Sequence, residues 1–432
     1  MRYSSQRFLT LQSQFLFAIA QAIDRLGLFN LSLRPDDLIA KARTQAALFD
    51  FGEWQFREPL AVLLKAYEEE ANLSAFGRVA VRWDMIRFLS NLLRLREEEK
   101  REPAILAETI AVPIFVLGLP RSGTTFLHNL LAQDPSNMAP LAWQTIYPYP
   151  LQDRSARRRD RRATMIERQF SSFVRLVPEL PSLHPLDAYA AQECIEITGH
   201  VMRSLRFDTT HYVPSYEKWL DREGHLEAYR FHKRFLQHLQ HQAKSPGVWV
   251  LKSPDHIYAM DALLEVYPDA RFIFVHRDPL KVMASVARLT EILRAPFTRR
   301  IDRLQIGRQV TDRWVDGSKL LIAMSERFRS SPERIFHVRY EYLAMEPVAA
   351  IAAIYERFGR SMSERAKSAF MRKIVERPNG GYGQNHYTLQ DYGIDPAVER
   401  RRFAPYVEYF RIEPERVKKR KFAGELQMAA EG

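Results

Sequence analysis

Cysteine is all but absent from this 432-residue chain: Cys194 stands alone, so no intrachain disulfide can form and nothing demands an oxidising compartment. Long apolar runs are missing too. None approaches the roughly 20 residues that a membrane-spanning helix needs, and Gln, Ser and Asp interrupt residues 1–26, where a signal-peptide core would lie. A cytoplasmic location is therefore expected. Internal repeats and low-complexity segments are also lacking. What is present suits a globular protein: 46% apolar and 12% aromatic residues supply a core for one large or two moderate domains. The net charge of +12 favours an anionic partner, whether nucleic acid, a membrane surface or a small polyanionic cofactor. Much of that charge sits in Arg154–Arg162 and in Lys418–Lys421, runs that read as solvated helix faces or tails.

Apolar spacing through Phe15, Ile19 and Ile23, then Leu60, Leu63 and Leu64, then Ile86, Leu89, Leu92 and Leu93 predicts a helical N-terminal region over residues 1–110. The charged stretch ending at Pro103 closes it. Beyond it, residues 111–432 alternate strand and helix. Strands are expected at Ile114, at Val248–Leu251, at Arg271–His276 and at Ile335–Val338, with helices between them. The pattern predicts an α/β domain with a central, mostly parallel sheet flanked by helices. Prolines 135, 140, 148 and 150, then 178, 181 and 185, mark two irregular segments of the kind that carry function.

The segment Pro113–Thr125 reads as strand, glycine loop and helix start. Gly118 and Gly123 have the G-x-x-x-x-G spacing of a P-loop, but Thr124 stands where the Walker lysine belongs. The physical purpose of such a loop survives that loss. Gly123 lets backbone N–H groups approach a phosphate, and the following helix turns its positive end toward it. Arg121, inside the loop, becomes the nearest cation, and its guanidinium forks where a lysine cannot. A second absence bears on the chemistry. Strand ends that should offer a metal-binding acid read Lys252-Ser253-Pro254 and His276-Arg277-Asp278-Pro279 instead, so the ends are cationic and Asp278 is placed to cap a helix. Transfer of a charged group with no metal ligand in the site is the expectation.

Leu119–Thr125 and Phe272–Ser285, strengthened by Arg339–Leu343, resemble the two signature motifs of the sulfotransferase superfamily. The resemblance spans residues 113–412. It implies 3′-phosphoadenosine-5′-phosphosulfate (PAPS) as donor, with Arg121, Ser122, Gly123, Thr124 and Thr125 at the 5′-phosphosulfate and Arg277 and Ser285 at the 3′-phosphate. It also implies that Lys252 stabilises the transition state. Taken singly, Arg277 reads as a surface ion-pair partner, Ser285 as a small packing residue and Lys252 as a solvated loop lysine; their joint occurrence after the loop carries the assignment.

Sulfuryl transfer needs positive charge on the bridging and equatorial oxygens, for which Arg121 and Lys252 are available, and a base for the acceptor proton. Relatives of this branch often follow a loop Trp with Glu, but Trp143 is followed by Gln144, which cannot take a proton at neutral pH. His184, in the second Pro-rich segment, is the first candidate base and Glu193 the second. His128 is expected to face the core. His232, His238 and His241 are expected on a solvated helix, since spacings of six and three do not gather them as metal ligands. In the C-terminal segment Asn379–Thr388, Gln384 stands where a basic residue is common in the family. Trp143, Tyr147, Tyr149 and Tyr189 suit a small-molecule acceptor that is a lipid, a sugar-lipid or a phenol rather than a polyanion, and suit core packing almost equally well. Two other readings stay open: a P-loop kinase or NTPase, and a non-enzymatic binder of nucleic acid or of an anionic membrane. No specific nucleic-acid partner is expected, and the basic runs leave peripheral membrane contact open.

Overall fold

In the computed structural model, which describes residues 3–4, 31–150, 160–183, 186–243, 247–376 and 387–414, five strands form one parallel sheet. They are β1 (Ile114–Gly118), β2 (Asn137–Met138), β3 (Val248–Lys252), β4 (Arg271–His276) and β5 (Ile335–Arg339), in the order β2-β3-β1-β4-β5. The register pairs Ile114 with Val250 and Arg271, and His276 with Arg339. β2 has two residues and no periodicity to announce it, so nothing in the sequence marked it. Tyr3–Ser4 and Arg300–Ile301 form a separate antiparallel pair.

β1 is buried along its whole length, as a central strand covered on both faces must be. Its alternation sends Ile114 and Val116 into one apolar cluster, with Leu127, Leu130, Ile351 and Ile354. Phe115 and Leu117 enter the other, which also holds Leu60, Leu63, Leu89 and Leu92 of the N-terminal helices. Those helices, α1 (Pro35–Ala46), α2 (Arg57–Glu69) and α3 (Ala75–Arg101), thus share one core with the sheet. Phe15, Ile19 and Ile23 lie outside the described residues. The helices that bear on the site are α4 (Thr124–Leu131), α5 (Arg161–Leu176), α6 (Leu226–Ala243), α7 (Pro279–Arg294) and α8 (Arg303–Arg327). Among the described residues, no helix is long and apolar enough to cross a membrane.

Three expectations are corrected here. His232 and His238 are buried rather than solvated: on α6 they face inward, where His232 Nδ1 meets Tyr267 Oη at 2.8 Å and His238 Nε2 meets Glu99 at 3.3 Å. Polar partners inside the core made an inward face read as polar. Arg162 is likewise buried, because its guanidinium lies 4.4 Å over Trp143 and donates to the carbonyls of Tyr147 and Tyr149. Residues 154–159 of that run and Lys418–Lys421 lie outside the described residues. His276 is buried and neutral instead of cationic, since burial, with His337 and Arg339 adding to it, drives its pKa well below the ordinary histidine value.

Candidate active site at the strand ends

The carboxyl ends of β3, β1 and β4 lie side by side, and in open α/β sheets ligands bind in the crevice outside such ends. The loop from Gly118 to Gly123 passes over this edge through three positive-φ residues, Gly118 (150°), Arg121 (65°) and Gly123 (99°). A Cβ on Gly118 would stand 2.4 Å from the Val275 carbonyl oxygen, and one on Gly123 would stand 2.7 Å from the Tyr340 ring. Only glycine fits either place. Gly123 opens α4, whose first-turn N–H groups have no partner within the helix. The Ser122 hydroxyl is buried with no hydrogen-bond partner among the described residues. Unpaired donors at a helix N-terminus, with two arginines beside them, fit a phosphate or sulfate group.

Arg121 reaches α7. Its Nε donates to Ser285 Oγ at 3.0 Å, while Arg277 donates through Nη1 to the Arg121 carbonyl at 3.0 Å. Both sequence motifs therefore meet in one set of contacts, although 164 positions separate Arg121 from Ser285. Asp278 accepts from the Leu280 N–H at 3.0 Å and caps α7, which leaves Arg277 at the strand end. The Arg277 guanidinium lies 3.9 Å over Tyr340, a cation–π contact that fixes its plane. Tyr340, in the segment after β5, was not singled out from the sequence; its place just past a strand end, inside Arg339–Leu343, was the signal for it.

On the other side of the loop, the largely buried Lys252 donates through Nζ to Thr125 Oγ1 at 2.9 Å and pairs with the Glu193 carboxylate. The Cys194 N–H donates to the Lys252 carbonyl at 2.9 Å, holding this segment along the end of β3. Gln192 and Glu193 precede the short helix Ile195–Gly199 rather than sitting within it. His128 is buried on the core side of α4, 3.0 Å from the Val250 carbonyl, and burial pulls its pKa down to about 4. Gln144 accepts from the Leu141 N–H at 2.9 Å and caps a local turn. The structure thus brings Arg121, Ser122, Gly123, Thr124, Thr125, Glu193, Lys252, Arg277 and Ser285 to one edge of the sheet. His184 and Gln384 lie outside the described residues.

Of the loop aromatics, Trp143 lies under Arg162, and Tyr149 faces Arg94 at 4.4 Å. Tyr147 accepts at its hydroxyl from Gln169 at 3.0 Å, whereas Tyr189 is exposed.

The family model described as the sulfotransferase family matches residues 113–364. The chain belongs to the sulfotransferase family. The crystal structure of sulfotransferase STF1 from Mycobacterium tuberculosis H37Rv superposes with a TM-score of 0.76 at 31% identity, covering 86% of this chain and 98% of that one. Sulfotransferase STF9 from Mycobacterium avium superposes with a TM-score of 0.81 at 28% identity, covering 90% and 99%. Among characterised sequences, the omega-hydroxy-beta-dihydromenaquinone-9 sulfotransferase Stf3 of Mycobacterium bovis is 28% identical over 275 residues, 59% of this chain and 65% of the relative. The match thus spans just under two thirds of that relative's length. Membership of this family of enzymes sets the kinase and the non-enzymatic readings aside.

Proposed function

We propose that the protein transfers a sulfuryl group from PAPS to a hydroxyl of a small, largely apolar acceptor. The observation that carries this reading is the linked set Lys252–Thr125 and Arg277–Arg121–Ser285, whose cations on both sides of the loop support a donor phosphorylated at its 3′ end and phosphosulfated at its 5′ end. When bound, PAPS supplies the activated sulfuryl group. Arg121, Ser122 and the N–H groups of residues 123–125 hold its 5′ end, and Arg277 and Ser285 hold its 3′-phosphate. Lys252 and Arg121 offset the charge that grows on the bridging and equatorial oxygens. Glu193 accepts the acceptor's hydroxyl proton. Its contact with Lys252 supports this role, because the base and the charge stabiliser must face the same reacting atoms. The name of the curated relative supports a lipid-like hydroxyl compound as the acceptor class.

The test is to incubate the protein with PAPS and lipid extracts of a cell and search by mass spectrometry for products heavier by one sulfuryl group. Glu193→Gln is expected to slow their formation by roughly 10²- to 10⁴-fold, to a measurable residual rate, and His184→Ala to preserve it. The reverse outcome makes His184 the base, and the absence of any sulfated product with the unaltered protein defeats the acceptor assignment.

A further inference from the structure

Three residues beyond Glu193, Glu196 enters a closed ring of charge. Arg87 Nη2 binds Glu196 at 2.6 Å and Asp84 at 2.8 Å, and Arg206 binds Glu196 at 2.7 Å and Asp84 at 2.7 Å. Two carboxylates and two guanidiniums balance, and each charge touches both opposite ones. The Arg87, Glu196, Asp84 and Arg206 side chains are only 5%, 8%, 17% and 21% exposed. Burial opposes the charge on Asp84, yet Arg206 and Arg87 outweigh it and bring its pKa to about 2; Glu196 is lowered in the same way. The ring therefore stays ionised across the neutral range.

Asp84 and Arg87 belong to α3 of the N-terminal region, whereas Glu196 lies on the turn that follows Glu193. The same face of α3 holds the first Pro-rich loop: Arg87 Nη1 and Asn91 Nδ2 both donate to the Ile146 carbonyl, at 3.3 and 2.9 Å. Asn91 also meets His200 Nε2 at 2.9 Å, and His200 Nδ1 meets the Glu196 carbonyl at 2.9 Å. Between ring and site there is one turn of backbone, closed by the Glu196 N–H to the Glu193 carbonyl at 3.4 Å and anchored by Cys194 on Lys252.

We propose that Asp84, Arg87, Glu196 and Arg206 form a positioning device by which the N-terminal helices hold the Glu193 carboxylate against Lys252. This rests on the reading of Glu193 as the base. The ring does not touch the reacting atoms; it fixes the turn that carries one of them. An ion ring suits this task because a buried pair stabilises little against apolar packing, while its geometry admits one arrangement.

Glu196→Gln, with Asp84→Asn at the more exposed side as a second variant, is assayed alone and in a Glu193→Gln background. Turnover is normalised to sites that bind adenosine 3′,5′-bisphosphate, which removes any loss of folded protein. Expected is a kcat per binding site at least 10-fold lower for either variant, with nucleotide affinity within 3-fold of the parent and no further loss when Glu193 is already replaced, on the order of one rotamer shift at the base. If kcat per site is unchanged while Tm falls, the ring is structural only and the proposal is overturned. If the losses add in the double variant, the ring acts through something other than Glu193 and the proposal is equally overturned. Should Glu193→Gln turn over as fast as the parent, the base assignment fails first and takes the device with it, an outcome distinct from both.

Discussion

Replacing Arg277 by Ala tests the donor assignment most directly. Arg277 leaves the end of β4 with its guanidinium flat on Tyr340 at 3.9 Å and one N–H on the Arg121 carbonyl, contacts that hold a forked cation beside the glycine loop, where a phosphate would bind. A hydrogen bond to a charged group contributes about 1.5–3 kcal/mol, and each 1.4 kcal/mol is about tenfold in Kd. Arg277→Ala is thus expected to weaken adenosine 3′,5′-bisphosphate by roughly 10- to 150-fold. Arg277→Lys keeps the charge but loses the fork, for a loss of roughly 5- to 10-fold. Ser285→Ala removes a neutral hydroxyl worth about 1 kcal/mol, or roughly fivefold, and it also frees Arg121 Nε, whose present acceptor is Ser285. Isothermal titration calorimetry without added Mg²⁺ measures each variant against two ligands, the bisphosphate and adenosine 5′-monophosphate. The monophosphate, lacking the 3′ group, should lose less than about threefold to any of these changes, there being no contact to remove. Equal weakening of both ligands by Arg277→Ala would refute the reasoning, since it would mean that Arg277 acts only by bracing the Arg121 carbonyl. No weakening of either would remove the 3′-phosphate site altogether.

Gly123→Ala is expected to cost about 2 kcal/mol, from a left-handed backbone without glycine and a Cβ at 2.7 Å from the Tyr340 ring; an unchanged Tm would contradict the loop geometry. Lys252→Met should lower kcat about 10²- to 10³-fold, the loss seen when a transition-state charge stabiliser is removed, and a rapid-quench measurement of the chemical step showing no change would dismiss that role. His128, with a pKa pulled down to about 4 by burial, is neutral in the fold and titrates at about 6.5 in the unfolded chain. A lowered histidine gives stability that is complete above the unfolded value and is lost as pH falls toward 4. His128→Gln should therefore shrink the stability difference between pH 7.5 and 4.5 by about 2–3 kcal/mol. Urea unfolding at the two pH values measures this, and an undiminished difference would show that His128 titrates normally.

Much of the site was legible from the chain itself. Gly118, Gly123 and the strand before them announce a tight glycine loop between strand and helix, and the loop is there because a Cβ at either position would collide with its neighbours. Asp278 before Pro279 announces a helix cap, and the cap is there. The histidines of α6 misled, since polar residues satisfied by Tyr267 and Glu99 inside a core look the same in sequence as polar residues in water. Cations at strand ends were readable, but the neutrality of His276 was not: burial sets it, and burial is a property of what packs around a residue.

The sequence by itself determined the α/β class, the loop and the two motifs, since each depends on neighbours a few residues apart whose periodicity and turn chemistry are local. Tertiary structure alone decided that Arg121 binds Ser285, that Lys252 meets both Thr125 and Glu193, that Tyr340 underlies Arg277, and that α3 closes an ion ring behind the site. Those contacts join strand ends and helices distant in the chain. Their partners are chosen by the strand order and the packing of the sheet, which no short-range pattern encodes.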